Sequence, residues 1–258
     1  MAPAGQAPGR APGAGPGAGP GALDIIIPVY NEGANILATL EAIERHVSHP
    51  HRFLIVYDFD EDDTLPILRA YMASPGHGAV RLIRNKFGRG ALNAIRTGLE
   101  AAEMELCLVC MGDLSDDLTA VAAMIRKMEE GCDLVCGSRY MKGGRQIGGP
   151  LLKGALSRLA GLSLHYLAGL PTHDVTNSFK MYRSSVLRRI AVESRGGFEI
   201  GMEIVVKAHL LGCRIAEVPA TWNDRSGGES KFKLLRWLPH YLRWYFLALK
   251  GAWLPKAR

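Results

Sequence analysis

The sequence predicts an α/β fold in which a mostly parallel sheet carries helices on both faces. Short, continuously apolar runs alternate with segments of helical periodicity, as in chains whose strands are buried on both sides. Polar clusters follow several of these runs and begin the next helix. The 258 residues, of which 48% are hydrophobic and 22% charged, are enough for a sizeable core. We therefore expect one domain followed by a C-terminal amphipathic helix.

The first half of the chain predicts five strands alternating with four helices. The strands, in order, are LDIIIPV, HRFLIVYD, AVRLIRN, LCLVCM and DLVCGS. The helices between them are NEGANILATLEAIERHV, DEDDTLPILRAYM, RGALNAIRTGLEAAE and LTAVAAMIRKMEE. Ligands of such sheets bind beyond the carboxyl ends of the strands. The acids that follow these strands are therefore candidate site residues.

After Tyr140 the pattern changes. MKGGRQIGGP is predicted to be a Gly-rich basic loop, and PLLKGALSRLAGLSLHYLAGL a long helix. THDVTNSFKMYR is a loop entering another strand, GMEIVVKAHLLGC a further helix, and RIAEVPATW the last strand. The polar segment NDRSGGESKFK then precedes an aromatic, basic tail. We expect the tail, 231–258, to be a helix that either lies at a bilayer interface or packs on the domain.

Composition and charge limit the classes of partner. The net charge of +6 suits an anionic partner such as phosphate groups, a membrane surface or nucleic acid. No recognised nucleic-acid motif accompanies this charge, so we expect no nucleic-acid partner. Residues 1–22 are almost entirely Ala, Pro and Gly, which predicts a disordered segment without an export signal and hence a cytoplasmic protein. No apolar window is long enough to predict a spanning helix.

Four of the five cysteines, in CLVC and CDLVC, have the spacing of a zinc site. Both pairs, however, fall inside apolar stretches that are predicted to be neighbouring strands. A reduced cysteine in such a place packs as a small hydrophobic residue. We therefore expect no structural zinc.

The polar motifs occur in an order that resembles a known family. PVYNE, VYDFDEDDT, the Asp113 cluster and GSRY follow predicted strands, and GSRYMKGG, LLKGALS, HDVTNSFKMYR, GMEIVVKA and EVPATWNDRSGGESK come after them. Together they resemble family-2 glycosyltransferases of the Rossmann-like GT-A fold, in particular polyprenyl-phosphate glycosyltransferases such as the dolichyl-phosphate mannose synthases. The resemblance extends from Leu23 to about Lys233. It implies a glycosyltransferase domain over 23–230.

The resemblance implies a site for a nucleotide sugar at the first strand ends. Pro28, Tyr30, Glu32 and Asp58 would contact the base or ribose. Lys86 and Arg89, beside glycines at a helix start, would favour the anionic nucleotide, although an ordinary basic cap explains Arg89 equally well. The further acids of VYDFDEDDT are Asp60, Asp62 and Asp63, and helix-start acids of this kind commonly act as caps.

A divalent cation, Mg²⁺ or Mn²⁺, is also implied. In the family, the two acids of a D-x-D signature coordinate the metal, but here Met111 stands at the first position and Asp113 at the second. A thioether is a poor ligand for a hard cation. We expect a retained site built from Asp113, Ser115 and Asp116, with weak metal binding or a metal-free reaction as the alternatives.

The acceptor side is basic. By resemblance, Arg139, Lys153 and Ser157 would hold the phosphate of a polyprenyl phosphate, with Lys153 where the family often has Arg. The residues implied around the sugar are Asp174, Thr176, Asn177, Ser178 and Glu203. Arg225, Ser230 and Lys231, in a polar segment, would clamp the donor diphosphate once both substrates are bound, and a simple polar connector before the last helix is the alternative. Asp113, Arg139, Lys153, Arg225 and Lys231 are thus the residues expected to act in catalysis.

The implied reaction is inverting transfer of a hexose to a polyprenyl or dolichyl phosphate at the cytosolic face of a membrane. Mannose from GDP-mannose is the first expectation. A phosphate monoester is largely ionised near neutral pH, so the acceptor needs no dedicated base. The alternatives are a catalytically silent homologue that binds nucleotide sugar, which Met111 favours, and a transferase that uses UDP-glucose or a soluble glycan acceptor. The oligomeric state stays open.

Overall fold

The computed structural model describes residues 22–74, 79–224 and 234–253, with side chains from Trp237 onward in the last range. The first half alternates strands and helices as expected from the sequence. Its elements are β1 (Leu23–Pro28), α1 (Ile36–His46), β2 (His51–Tyr57), α2 (Thr64–Ala73), β3 (Ala79–Arg84), α3 (Ala91–Ala101), β4 (Leu106–Val109), α4 (Val121–Glu129) and β5 (Leu134–Ser138). A single 3₁₀ turn over Leu118–Ala120 leads into α4.

The second half is less regular. Its elements are β6 (Arg145–Ile147), α5 (Leu151–Ala168), β7 (Lys180–Arg183), α6 (Ser184–Leu187), α7 (Ile200–Leu210), β8 (Ile215–Pro219), β9 (Thr221–Asn223) and α8 (Leu234–Trp253). α5 begins after Pro150 and ends at Gly169, whose φ of +68° is the left-handed conformation that glycine adopts freely at helix ends. α8 contains Pro239 within its second turn.

In the described residues the main sheet has seven strands in the order β3-β2-β1-β4-β7-β5-β8. β7 pairs antiparallel with β4 on one side and with β5 on the other. The other pairs in this sheet are parallel. This is the mostly parallel sheet that the sequence predicts. The N-terminal end of β7 therefore lies beside the C-terminal ends of β4 and β5, so the loop before β7 reaches the same edge of the sheet as the loops after β4 and β5.

Both faces of the sheet are covered. One face of β1 and β2 packs on α1, α2 and α4 through buried residues such as Ile43, Leu68 and Met124. The other face packs on α3, α7 and α8 through Ile95, Ile204 and Trp244, and the end of α5 joins this layer. α3 comes so close that a side chain at Gly98 would meet Ile26 at 2.3 Å. Burial on both sides explains why these strands are continuously apolar.

Several elements differ from the sequence-based expectations. The predicted Gly-rich loop contains β6, which pairs in parallel with β9 as a separate two-stranded sheet. RIAEVPATW, expected to be one strand, is divided after Pro219 into β8, in the main sheet, and β9. The division follows from Pro219, which has no N–H to continue a ladder. The short helix α6 was not predicted.

The cysteines are free thiols. β7 separates β4 from β5, so the expectation that the cysteine-bearing strands are neighbours was wrong. Cys107, Cys110, Cys132 and Cys136 are buried, and burial raises the pKa of Cys136 to about 11. Buried neutral thiols behave as small apolar side chains.

The proposed boundaries at the two termini stay predictions. The Ala/Pro/Gly-rich segment 1–22 lies outside the described residues except for the buried Ala22. In the ranges that are described, no helix is both long and apolar enough to cross a bilayer. α8 forms most of the predicted tail helix, and its inner side packs on the domain through the buried residues Trp244 and Ala248.

Candidate active site

The predicted site residues gather at one edge of the sheet. The strands β1 to β5 all run in the same direction, because β4 and β5 are both antiparallel to β7. The loops that follow these five strands therefore lie at the same carboxyl edge of the sheet. The loop before β7, 174–179, reaches the same edge because β7 runs antiparallel. Residues from both halves of the chain therefore line one surface.

Asp62 and Asp63 hold the loop that follows β1. Asp62 accepts hydrogen bonds from the N–H groups of Asn31 (3.1 Å) and Thr64 (2.9 Å), the second of which caps α2. Asp63 accepts one from the N–H of Gly33 at 2.9 Å. The contact with the Thr64 N–H agrees with the capping alternative for Asp62, whereas Asp63 makes no side-chain hydrogen bond to α2 and instead links two loops. Tyr30 and Glu32 lie in the same loop, where Glu32 Oε2 accepts a hydrogen bond from Asn35 Nδ2 at 3.1 Å.

Asp58 organises the next loop. Its Oδ1 accepts a hydrogen bond from Asn85 Nδ2 (2.7 Å), and its Oδ2 accepts one from the N–H of Gly90 (2.8 Å). Gly90 has φ of +118°, which disfavours any side chain at this position. Both oxygens of Asp58 thus fix the segment that carries Arg89. In this structure Asp58 therefore supports the loop of the predicted nucleotide site through Asn85 and Gly90. Its contact with the base or ribose stays a prediction.

An aromatic pair lies beside this loop. Tyr30 and Phe59 meet edge to face with ring centroids 5.5 Å apart, and the Arg89 guanidinium carbon lies 5.0 Å from the Phe59 centroid. Tyr30 is exposed, so part of its side chain faces solvent. Sequence reasoning missed Phe59, although its position directly after Asp58 at a strand end is a usable signal. Lys86 instead pairs with Glu100 on α3 at 2.7 Å.

The loop 110–117 after β4 is folded around its own acids. Asp116 Oδ2 accepts a hydrogen bond from the N–H of Met111 (2.8 Å), and Asp113 Oδ1 accepts one from the N–H of Ser115 (3.2 Å). Leu114 between them has φ of +59°, an unusual conformation for leucine that marks local strain. Asp117 accepts the N–H of Thr221 at 3.0 Å and so joins this loop to β9.

Asp116 is a buried carboxyl with a displaced pKa. Burial is the main cause and the nearby Asp113 carboxylate adds to it, so the pKa of Asp116 is raised to about 7. The Met111 N–H and the positive charges of Arg139 and Lys180 oppose this rise. A cation bound beside Asp113 and Asp116 would reduce the repulsion between the two carboxylates and so favour the ionised form of Asp116.

The donor set suits a cation only in part. No cluster of three or more His, Cys, Asp or Glu side chains that could hold a metal occurs in the described residues. Magnesium, however, is commonly bound by one or two carboxylates together with substrate phosphates and waters. Asp113 and Asp116 fit such a site if the substrate completes it. The backbone N–H of Ser115 supports Asp113, while Met111 contributes its N–H to Asp116 and no hard ligand.

Asp116→Asn is expected to stabilise the cation-free protein at pH 8 by about 2–4 kcal/mol, since each pKa unit corresponds to about 1.4 kcal/mol. The folded-state pKa of about 7 lies above the ordinary 3.8, so ionisation opposes folding progressively as pH rises through this window. The gain should vanish near pH 4, and Asn can still accept the Met111 N–H. Thermal unfolding between pH 4 and 8 in EDTA measures the difference in stability between the variant and the wild type. An equal loss of stability at every pH would contradict this expectation, and Asp60→Asn, at an exposed position, is the control.

Arg139 and Asp174 form a buried ion pair on the acceptor side. Arg139 Nε donates to Asp174 Oδ2 (2.6 Å) and Nη2 donates to Oδ1 (2.9 Å), while the Arg139 backbone N–H also donates to Oδ2 (3.1 Å). The side chain of Arg139 is 11% exposed and that of Asp174 is fully buried. Asp174 therefore holds Arg139 in place, and its predicted position near the sugar stays a prediction.

Hydroxyl groups surround the outer side of this pair. Arg139 Nη2 donates to Ser157 Oγ (3.1 Å) and Thr176 Oγ1 (3.0 Å). Tyr140 Oη donates to Ser157 Oγ at 2.8 Å, and Asn177 fixes the loop by donating from Nδ2 to the Gly137 carbonyl (2.9 Å). The structure therefore brings Arg139 and Ser157, both predicted on the acceptor side, into contact with Thr176, which the sequence places near the sugar.

The other residues predicted for the acceptor and sugar sites lie on α5, in the loop before β7 and on α7. Lys153 is half-buried one turn before Ser157 on α5, and Ser178 follows Asn177 in the same loop. Glu203 is fully buried on α7 and accepts hydrogen bonds from the N–H groups of Glu193 and Ser194 and from Lys207. These contacts give Glu203 a part in holding the segment before α7. Arg225, Ser230 and Lys231 lie outside the described residues.

Comparison with known sequences assigns the chain to a family. A family model described as Glycosyl transferase family 2 matches residues 24–191, well over half of the chain. The chain belongs to glycosyltransferase family 2. This family-2 chain is 30% identical over 213 residues to a polyprenol monophosphomannose synthase of Mycolicibacterium smegmatis, covering 80% of the chain and 79% of the relative.

Two further relatives are longer than this family-2 chain. It is 27% identical over 228 residues to a dolichol-phosphate mannosyltransferase of Pyrococcus furiosus, covering 86% of the chain and 63% of the relative. It is 27% identical over 218 residues to a dodecaprenyl-phosphate galacturonate synthase of Rhizobium johnstonii, covering 83% and 62%. The chain thus spans less than two thirds of the length of these two relatives.

Solved structures show the same fold. Glucosyl-3-phosphoglycerate synthase of Mycobacterium tuberculosis, in complex with Mn²⁺, UDP and glucosyl-3-phosphoglycerate, superposes with a TM-score of 0.64 at 16% identity, covering 91% of the chain and 81% of that structure. The same enzyme with Mn²⁺, UDP-glucose and phosphoglyceric acid gives a TM-score of 0.62 at 15% identity, with 91% and 81% covered. The family-2 chain has the GT-A fold predicted from its motifs.

Proposed function

We propose that this family-2 glycosyltransferase transfers a hexose from a nucleotide sugar to a polyprenyl phosphate, with inversion, at the cytosolic face of a membrane. Mannose from GDP-mannose is the first donor to test. The observation that carries the proposal is the buried Arg139–Asp174 pair with Ser157 Oγ 3.1 Å from Arg139 Nη2, at the sheet edge that also bears Asp113. An arginine fixed in this way is well suited to bind a phosphate group.

The names of the relatives support a lipid phosphate acceptor. The three curated relatives are named as synthases or transferases of polyprenyl-phosphate or dolichol-phosphate sugars. Their names differ in the sugar, which is mannose in two and galacturonate in the third. The acceptor class is thus the feature they share, and the sugar used by this chain has to be measured.

The reaction would depend on alignment and charge. The acceptor phosphate, held by Arg139, Ser157 and the nearby Lys153, would attack the anomeric carbon without a general base, because a phosphate monoester is mostly ionised near neutral pH. Tyr30, Phe59 and Arg89 would position the nucleotide. A divalent cation at Asp113 and Asp116 would neutralise charge on the donor diphosphate and assist departure of the nucleotide. Arg225 and Lys231 remain predicted partners of that diphosphate.

The second candidate is a silent homologue that binds a nucleotide sugar without transferring it. Met111 is the observation that favours this reading, since it removes one hard ligand from the cation site. The intact Arg139 cluster is the observation against it.

Transfer of radiolabelled sugar to a short polyprenyl phosphate tests the proposal. The donors are GDP-mannose and UDP-glucose in parallel, each with and without EDTA, and a soluble glycan replaces the lipid phosphate in a further arm. Product that EDTA abolishes supports transfer with a cation, and product that survives EDTA supports transfer without one. Labelled glycan alone would overturn the lipid acceptor. Absence of product from protein that still binds nucleotide supports the silent homologue.

A further inference from the structure

Lys180 is a basic side chain in the interior of the domain. It is the first residue of β7 and is fully buried. Within the part of the chain that the structure describes, its Nζ makes one hydrogen bond, to the Val175 carbonyl at 3.3 Å, and no ion pair. Lysine is seldom buried without a partner that neutralises it, because desolvation of the ammonium group is costly. The position of Lys180 therefore asks for a functional reason.

The sheet places Lys180 at the edge that bears the candidate active site. It lies opposite Val109 of β4 and opposite Cys136 of β5. Val109 ends β4, directly before the loop 110–117, and Cys136 lies three positions before Arg139. Lys180 is thus between the strand that leads to the proposed cation loop and the strand that leads to the proposed acceptor site.

The amine of Lys180 lies beneath the loop before β7. Its contact with the Val175 carbonyl joins it to that loop, one residue after Asp174 and one before Thr176. A side chain at Gly201, in the first turn of α7, would have its Cβ 3.6 Å from Lys180 Nζ. Because the group is shielded from solvent on all sides, its charge is screened far less than a charge at the surface.

The buried ion pair above Lys180 offers a phosphate group little net charge. Asp174 neutralises Arg139, so the pair supplies directed N–H groups while its two charges largely cancel. A phosphate monoester carries nearly two negative charges near neutral pH. Lys180 is a buried positive charge beside this pair that has no carboxylate partner of its own among the described residues.

The groups that act on Lys180 include this pair. Burial is the main cause that lowers the pKa of Lys180, and the positive charge of Arg139 adds to it. Cys136, Asp174 and Asp116 act in the opposite direction. A further negative charge at the site would therefore favour the ammonium form of Lys180 and be attracted by it.

We propose that Lys180 determines specificity at the acceptor site: its buried charge makes the site prefer a doubly charged phosphate monoester to a singly charged phosphodiester. The inference rests on the proposed function, because transfer converts the first kind of group into the second. The acceptor oxygen that bonds to the anomeric carbon gives up its negative charge, and the departing nucleoside diphosphate carries that charge away. Since the attraction of a fixed charge grows with the charge of its partner, the site would bind the acceptor more tightly than the product and so favour product release.

Calorimetric binding of a short polyprenyl phosphate and of its methyl diester, both without donor, tests this inference. Lys180→Met keeps the length of the side chain and removes its charge. It should weaken binding of the monoester about tenfold and that of the methyl diester about threefold, because two charges lose about twice the free energy that one charge loses. Lys142→Met, which removes an exposed charge three positions after Arg139, is the matched control and should bind both ligands as the wild type does.

Two further variants separate the charge of Lys180 from its hydrogen bond. Lys180→Gln can still donate to the Val175 carbonyl but has no charge, and it should show the same selective loss as Lys180→Met. Lys180→Arg keeps the charge and should keep the wild-type preference for the monoester. The melting temperature of Lys180→Met should equal or exceed that of the wild type, since the variant removes an unpaired buried charge.

The outcomes separate this inference from the proposed function. Binding of the monoester by Lys180→Met as tightly as by the wild type would overturn the role of Lys180, even if transfer is observed. An equal loss of affinity for both ligands together with a lower melting temperature would also overturn it, because support of the loop alone produces that pattern. A wild-type chain that binds nucleotide but neither phosphate ligand would overturn the lipid phosphate acceptor, and this inference with it.

Discussion

Replacement of Asp174 by alanine is expected to destabilise the protein by about 3–5 kcal/mol, because it leaves the Arg139 guanidinium buried without its counter-ion. The side chain of Asp174 is fully buried, and two Arg139 nitrogens approach it at 2.6 and 2.9 Å. Although burial acts to raise it, the Arg139 charge and hydrogen bonds hold the pKa of Asp174 below its usual value. For a domain of this size the melting temperature should fall by about 10 °C.

Two further variants show whether the unpaired charge is the cause. Asp60→Ala removes the partner of Arg84 in an ion pair whose side chains are both more than half exposed, and it should cost less than about 1 kcal/mol. Arg139→Met combined with Asp174→Ala should recover much of the lost stability, since it removes both charges together. Transfer activity should stay absent in the double variant. Denaturant unfolding measures all three, and an Asp174→Ala protein as stable as the wild type would refute the ion-pair argument.

Asp113→Asn is expected to lower kcat/KM by about 10²- to 10³-fold if the proposed transferase uses a cation. A metal at the leaving diphosphate contributes several kcal/mol to the transition state, and about 1.4 kcal/mol corresponds to a factor of ten. Asp113 is the acid of the family signature that this chain retains, and its Oδ1 also accepts the Ser115 N–H, a contact that Asn can keep. EDTA should reduce wild-type activity by a similar factor. Undiminished transfer by Asp113→Asn would remove the metal from the mechanism.

Met111→Asp is the converse of that variant. It restores the first acid of the signature and should raise the affinity for Mn²⁺, measured by calorimetry in the presence of nucleotide diphosphate, by about tenfold. Leu114→Asp adds the same charge at an exposed position of the same loop and serves as the matched control. If both variants gain affinity equally, the effect is one of general charge and the proposed metal ligands are wrong.

The regular half of the fold was predictable because its strands are buried on both faces. A run such as HRFLIVYD shows its apolar character directly, and β2 covers His51–Tyr57. β6 gave no such signal, since it has three residues held by backbone pairing, and the separation of β9 from β8 within RIAEVPATW was not predicted. The antiparallel placement of β7 was equally hidden, because the order of strands depends on contacts between distant parts of the chain.

The candidate site was predictable in its residue types and less so in their roles. The motifs identify Arg139 and Asp174, but the sequence does not reveal that residues 35 positions apart neutralise one another. Asp58, Asp62 and Asp63 were candidates for ligand contact, and in the structure each accepts a hydrogen bond from a backbone N–H group of a loop. Acidic residues that follow a strand look alike in the sequence. Their hydrogen-bond partners and burial in the structure distinguish those that hold a loop from those that face a ligand.

The insertion of β7 between β4 and β5 also constrains how the protein is made. A nascent chain that ends before Lys180 has neither partner for the inner edges of β4 and β5, whose apolar strands are then open to pairing with other chains. The sheet is complete only when β7 has inserted between β4 and β5, which are synthesised earlier. Contacts between such distant parts of the chain imply slow folding. Chaperone dependence and insoluble C-terminal truncations should therefore accompany expression of this chain.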